Sequence, residues 1–372
     1  MRILAVDHSA ELGGAQLSLL SMARELGDGL AVLLLEEGEL VKRLQAQETQ
    51  VEVVNLNSAF GAQLRTKGVA LVGRRYASVL KDMRDSILES ARTHQADVLL
   101  FNSLRTTVFG ATMRWPGRYK RVVMVRDGIR GPYLRPHMTA LAQTSVNVAA
   151  TCIIANSRWT ERQIRTFRRS AVVAPFLPRV FFDKAPFPRE PTGTVRVLML
   201  GRLAPWKGQL EALQEIGSAD IGAQWEVTVA GGSWFHEEEY MQRVSEEIEK
   251  IGNVQINILG HVDDVSSLID QHDIVLHTSI LPEPFGQVVP QGMSRSRTVV
   301  ATNMGGPAEI ISHMKDGILY DPTNPGALRR VLERIVVDST LREELGHKAR
   351  ISAQRYHPEL TVQHLRSAIY KK

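Results

Sequence analysis

The sequence holds a single cysteine, Cys152, among 372 residues. That excludes a disulfide framework and a multi-cysteine metal site, and it suits a reducing, cytoplasmic setting. No apolar run approaches the roughly eighteen residues that a membrane-spanning helix requires. Met1–Asp7 enters a strand-like pattern at once, so no cleavable leader is expected. The eleven histidines are scattered without a His-x3-His pair, so no metal site is expected. Ser157 follows a strand but lacks the flanking glycines of a hydrolase elbow. Asp263-Asp264 is not a metal-binding Asp-x-Asp and reads as the cap of a following helix. No nucleic-acid-binding motif is present and the basic residues are not interleaved with aromatics, so nucleic acid is not an expected partner.

What is present points to a globular α/β chain. Apolar residues make up 44% and charged residues 23%, the proportions of a soluble fold. The length suits two domains of roughly 180 residues each. Charge is unevenly placed: residues 1–185 carry 26 Lys and Arg against 16 Asp and Glu, and the remainder carries 19 against 24. A basic half fits an anionic partner, and it fits a solvated arginine-rich surface as well.

Short aliphatic runs alternate with amphipathic stretches. Ile3–Val6, Leu30–Leu35, Val51–Leu56, Val98–Phe101, Val122–Val125 and Cys152–Ala155 read as buried parallel strands, with helices such as Ala15–Leu26 and Val69–Gln95 between them. Proline-rich residues 174–193 break the pattern and place a linker near Pro186–Thr194. The alternation then restarts with strands at Val195–Leu200, Trp225–Ala230, Val254–Leu259, Ile274–His277 and Thr298–Ala301. Helices are expected at Gln209–Ile216, His236–Ile251, Val265–Asp270, Asn324–Val337, Leu341–Arg355 and Pro358–Tyr370. The expected organisation is therefore a domain over 1–185, a second over 194–357, and a last helix at 358–372.

Three segments carry chemistry. Gly13-Gly14 joins the first strand to the first helix, where backbone can approach an anion; taken alone, the pair reads first as a tight turn. Arg202 and Lys207 flank the loop after Val195–Leu200, beside a helix N-terminus, which is what a diphosphate and its developing charge need. Glu283-Pro-Phe-Gly286 precedes a further helix, with Gln291 about two turns on; Glu283 suits sugar hydroxyls, or simply a helix cap.

Together, Gly13-Gly14, Gly201-Arg-Leu-x-x-x-Lys-Gly208, Leu259-Gly-His-Val262, Glu283-Pro-Phe-Gly286 and Gly305-Gly-Pro-x-Glu309 resemble family 4 of the retaining GT-B glycosyltransferases, over nearly the whole chain. The resemblance implies two Rossmann-like, doubly wound α/β domains with a cleft between them. It also implies a C-terminal crossover helix packing back on the first domain, and a nucleotide-sugar held mainly by the second. It assigns Arg202 and Lys207 to the diphosphate and Glu283 to the transferred sugar. Main-chain groups at Phe285, Gly286, Gln287 and Val288 would complete the donor site, Gly13 and Gly14 would cover the phosphate, and Val262 would meet the base. The family's second carboxylate is here Gln291, whose amide still accepts one ribose hydroxyl. Where the family often has a histidine, this chain has Arg126-Asp127-Gly128; either side chain could face the sugar, with Asp127 preferred.

The expected activity is sugar transfer with retention from a UDP- or GDP-type donor to a glycan, lipid-linked or small-molecule acceptor, with no cofactor and no metal. A nucleotide-sugar epimerase and a catalytically weak binding subunit are the rival readings. The stretch from Arg65-Thr-Lys67 through Arg74-Arg75 to Lys81 and Arg84 reads first as a solvated helix face. Some relatives seat such a region peripherally on the inner membrane face, and that is the second reading.

Overall fold

The computed structural model describes residues 1–54, 73–186, 193–232 and 238–370. Arg65–Lys67, the side chains of Arg74 and Arg75, and residues 187–192 of the expected linker lie outside the described residues. The chain divides into two compact units, Met1–Leu177 with Pro358–Lys372, and Pro178–His357.

In the first unit the described strands are β1 (Ile3–Asp7), β2 (Leu30–Leu34), β3 (Gln50–Val53), β4 (Val98–Phe101), β5 (Lys120–Val125), β6 (Cys152–Ala155) and β7 (Arg169–Val172). They form one parallel sheet in the order β3-β2-β1-β4-β5-β6-β7, with Ile3 beside both Leu30 and Val98. The central strands are unbroken apolar runs because both faces are covered. Ile3, Ala5, Val32 and Leu100 pack on one face, and Leu4, Val6, Leu33 and Leu99 on the other. The helix Gly14–Leu26 brings Leu19 and Met22 to the first of these faces, and the last helix, Pro358–Tyr370, brings Leu365, Ala368 and Ile369. Tyr370 ends that helix with its hydroxyl donating to Asp97 at 2.6 Å and its ring under the Lys120 ammonium, 3.8 Å away. The strand β7 was not expected from sequence: it is a half-exposed edge, too polar to read as an apolar run.

The second unit holds β8 (Val195–Leu200), β9 (Trp225–Ala230), β10 (Gln255–Gly260), β11 (Ile274–His277), β12 (Thr298–Thr302) and β13 (Ile318–Tyr320), parallel in the order β10-β9-β8-β11-β12-β13. The three-residue β13 is too short to announce itself in sequence. Asp264 caps the helix Val265–Asp270 by accepting from Ser267 N at 3.0 Å.

The division between units falls before Pro178, inside the proline-rich residues 174–193 but ahead of the linker expected near Pro186–Thr194. Arg295 is the reason. It is 1% exposed, pairs with Asp270, and donates to the carbonyls of Lys184 at 2.6 Å and Ala185 at 3.0 Å. Buried guanidinium hydrogen bonds thus tie residues up to 185 to the second unit.

In both sheets the order reverses beside the first strand, between β1 and β4 and between β8 and β11. The loops leaving the carboxyl ends of strands at such a point diverge, and ligands of open α/β sheets bind in the crevice they leave.

Candidate active site

The second unit places its charged side chains at that reversal. After β8, Pro205–Lys207 makes one 3-10 turn, closed by Gly208 at φ +68°. A Cβ on Gly208 would lie 2.3 Å from the Thr278 carbonyl oxygen, so only glycine lets the loops after β8 and β11 meet. Thr278 Oγ1 donates to Lys207 O at 2.8 Å and Ile280 N to Trp206 O at 3.0 Å, fastening the two loops.

Lys207 Nζ then reaches Glu283 Oε2 at 2.7 Å, across 76 residues of sequence. The same oxygen accepts from His277 Nε2 at 2.7 Å and Ser279 Oγ at 2.9 Å. His277 is 2% exposed and has Thr302 Oγ1 at 3.4 Å from its Nδ1. Lys207 also lies over the Trp206 ring, 4.4 Å from its centroid. Burial pushes the Glu283 carboxyl up, but the Lys207 charge and the His277 hydrogen bond outweigh it and hold the group well below the usual carboxylate range. Glu283 is therefore an ionised acceptor fixed by three donors.

A third loop, the one after β12, fixes its backbone. Gly306 N donates to Glu283 O at 2.7 Å, and Gly305 sits at φ +64° where a Cβ would be 2.2 Å from that carbonyl oxygen. A Cβ on Gly306 would lie 2.4 Å from Phe285 Cα. The Gly305-Gly306 and Glu283-Pro-Phe-Gly286 segments are one interlocked structure. Phe285 is buried with its ring edge-on to Tyr356 at 5.7 Å, and Gly286 takes φ +82° before the helix Val288–Ser294, whose cap residue is Gln287. Gln291 is half-buried on this helix; its backbone N donates to Gln287 O at 3.1 Å, and among the described residues its side-chain amide makes no hydrogen bond. Arg202 is half-buried at the start of the β8 loop, its carbonyl accepting from Gln209 Nε2 at 2.7 Å. Val262 is half-buried beyond β10, which ends in Gly260 at φ +67°.

In the first unit, Gly13 caps the helix Gly14–Leu26 with ordinary extended backbone and no side-chain cap. Arg126 and Asp127 leave β5 in different ways. The Arg126 guanidinium is buried and donates to Ala15 O at 3.2 Å; burial, opposed by Asp7 and Asp127, brings it down to about 10. Asp127 is the exposed member of the pair.

Lys207 and Glu283 are the charged candidates the fold brings into contact. Sequence reading overlooked His277 and Ser279, though both stand at the carboxyl end of a buried strand just before Glu283. A fixed ammonium and a desolvated carboxylate at a crevice can bind, respectively, phosphate oxygens and sugar hydroxyls.

Comparison with known proteins gives the same direction. Residues 182–352 match the family described as glycosyl transferases group 1. The chain is 29% identical over 244 residues to human alpha-1,3/1,6-mannosyltransferase ALG2, covering 58% of this chain and 57% of that one. It spans less than half the length of the other curated relatives it matches. Among solved structures, Anabaena HepE in complex with UDP and glucose superposes with a TM-score of 0.84 at 23% identity, covering 100% of both chains. A glycosyltransferase from Rickettsia africae gives 0.78 at 20% identity, covering 100% of this chain and 99% of that one. At those identities the likeness establishes the fold, which is that of GT-B glycosyltransferases. Residues 182–352, somewhat under half of the chain, thus match the glycosyl transferases group 1 family, within a chain whose full-length fold is that of GT-B glycosyltransferases.

Proposed function

We propose that the chain is a retaining glycosyltransferase that moves a sugar from a UDP- or GDP-type donor to a hydroxyl of a glycan, lipid-linked or small-molecule acceptor. The observation that carries this reading is the Lys207–Glu283 contact at the strand-order reversal of the second unit. Lys207 and Arg202 stabilise the diphosphate as its bond to the sugar's anomeric carbon breaks. Glu283 accepts from sugar hydroxyls, main-chain groups at Phe285–Val288 hold the remaining donor atoms, and Gln291 and Val262 meet ribose and base. The acceptor oxygen bonds the anomeric carbon on the face the diphosphate leaves, and its proton passes to the departing diphosphate. No step calls for a metal. Support for a UDP donor comes from HepE, whose structures hold UDP with glucose, and UDP-glucose.

The test is to warm the protein with UDP- and GDP-sugars, because a ligand of the folded state raises apparent stability by mass action. The stabilising donor is then incubated with candidate acceptors in excess EDTA and the product's anomeric configuration read by NMR. Transfer with retention supports the reading. Inversion, loss of activity to EDTA restored by a divalent ion, or epimerised donor with no acceptor consumed would overturn it. The basic excess of residues 1–185 suits an anionic acceptor or phospholipid surface, and salt-sensitive binding to anionic vesicles tests the membrane part.

A further inference from the structure

The first unit carries a polar cluster that the donor site does not use, at its own strand-order reversal. Asp7 ends β1, and Asn102 and Ser103 follow β4. The Asp7 carboxylate is fully buried. Its Oδ1 accepts from His8 N at 2.7 Å, and its Oδ2 from Asn102 Nδ2 at 2.6 Å and Gln16 Nε2 at 3.3 Å. The His8 ring is anchored through one nitrogen only: Nδ1 lies 2.8 Å from Ser103 Oγ and 3.2 Å from Asp7 Oδ1. Burial pushes the Asp7 carboxyl up, yet the His8 and Asn102 hydrogen bonds hold it below the usual range, so it is an acceptor alone. A neutral His8 ring therefore carries its hydrogen on Nδ1 and leaves Nε2 as a bare acceptor. Among the described residues Nε2 makes no hydrogen bond, and the side chain is 26% exposed.

The loop that holds His8 is stiff. Ala10 N donates to Glu36 at 3.0 Å, Leu40 N donates to Ala10 O at 2.9 Å, and a Cβ on Gly38 would lie 2.8 Å from that of Ala10. Asn102 is 1% exposed, and among the described residues its Oδ1 has no partner. A buried carboxylate, a serine cap and a braced loop spent on orienting one half-exposed imidazole exceed what the turn itself needs.

We propose that His8 is a hydroxyl-binding residue of the first unit, its Nε2 accepting a hydrogen bond from a neutral carbohydrate at the β1–β4 reversal. Asp7 lies against the ring and, with Asp127, offsets the nearby Arg126 charge, so no net cation is left for an anionic ligand, and an acceptor nitrogen selects a hydroxyl donor. The assignment rests on the reading of the chain as a sugar-transferring enzyme, and it adds to that reading the group that receives the acceptor.

Two substitutions separate the binding role from a structural one. His8→Asn keeps a donor near the Nδ1 position and removes Nε2; His8→Gln places an oxygen near the Nε2 position. The full-length protein, with labelled histidine and saturating UDP, is titrated at pH 8 with methyl α-glucoside, α-mannoside and α-galactoside. The His8 resonance is assigned by its loss in the variants. At least one glycoside should shift it with saturation. His8→Asn should weaken that glycoside about tenfold with its melting temperature kept, and His8→Gln should recover part of the loss. UDP affinity should stay unchanged in both. If no glycoside moves His8, or if His8→Asn binds as the native protein does, the inference is overturned. Failure of the enzyme reading looks different: native protein and variants alike would bind neither UDP nor any nucleotide-sugar.

Discussion

Lys207 and Glu283 are each 14–15% exposed at the side chain, so each depends on the other for its charge to be tolerated. Lys207→Ala should lower turnover by about two orders of magnitude or more, the usual effect of losing a transition-state charge contact. Near-native turnover would remove Lys207 from the diphosphate. Because the Glu283 carboxyl is depressed in the folded protein, its stabilisation is fully present above the ordinary glutamate value, about 4.3, and is lost as pH falls towards the folded value. The stability gap between the native protein and Glu283→Gln should therefore be flat from pH 8 to about 5 and shrink below about pH 4. Denaturant midpoints across that range check it, and a gap already closing near pH 6 would contradict the ion-pair account. Gln291 stands where the resemblance to family 4 glycosyltransferases places a second carboxylate. Its amide has no described partner, so Gln291→Glu should tighten donor binding by about 1 kcal/mol, since a charged acceptor makes the stronger hydrogen bond. The gain should appear in donor KM; unchanged donor affinity and melting would mean that position 291 does not reach the ribose.

At the scale of elements, the site is three loops, after β8, β11 and β12, held in register by glycines. Gly305 combines φ +64° with a Cβ position 2.2 Å from Glu283 O, so Gly305→Ala must both strain its own backbone and displace Glu283. The expected cost is about 2 kcal/mol or more, with turnover falling further than stability alone explains. Gly222 has open space at its Cβ position, and Gly222→Ala serves as the comparison, with stability and turnover near native. Equal effects at the two positions would show that the Gly305 contact does not matter. These glycines stood out in sequence as a motif. Their reason did not, because the atoms that forbid a Cβ at 305 belong to residue 283, and those at 208 to residue 278.

For the whole molecule, the chain's last helix belongs to the unit that its first residues build. Leu365, Ala368 and Ile369 are at most 5% exposed within the first unit's core. Deleting residues 358–372 should cost that unit about 5 kcal/mol, from the apolar surface returned to water. Hydrogen exchange should then show lost protection in β1 and β4 with β8 and β11 retained. Full protection in β1 and β4 would mean the helix contributes little.

Much of this architecture was legible beforehand. Buried parallel strands are continuous apolar runs, so Val98–Phe101, Cys152–Ala155, Val195–Leu200, Trp225–Ala230 and Ile274–His277 coincide with β4, β6, β8, β9 and β11. The polar, half-exposed β7 and the three-residue β13 carry no such mark, which is why they escaped. Local pattern likewise singled out Lys207 and Glu283, since cations and carboxylates in strand-to-helix loops are visible one loop at a time. Sequence by itself thus determined the α/β class, the alternation of elements and the loops that bear charge. Only the tertiary structure decided which of those side chains meet. Strand order puts β8 beside β11 and β1 beside β4, and that order is set by long-range packing of both sheet faces. Hence the contacts of Lys207 with Glu283 and of His8 with Ser103, 76 and 95 residues apart, exist only in the folded chain.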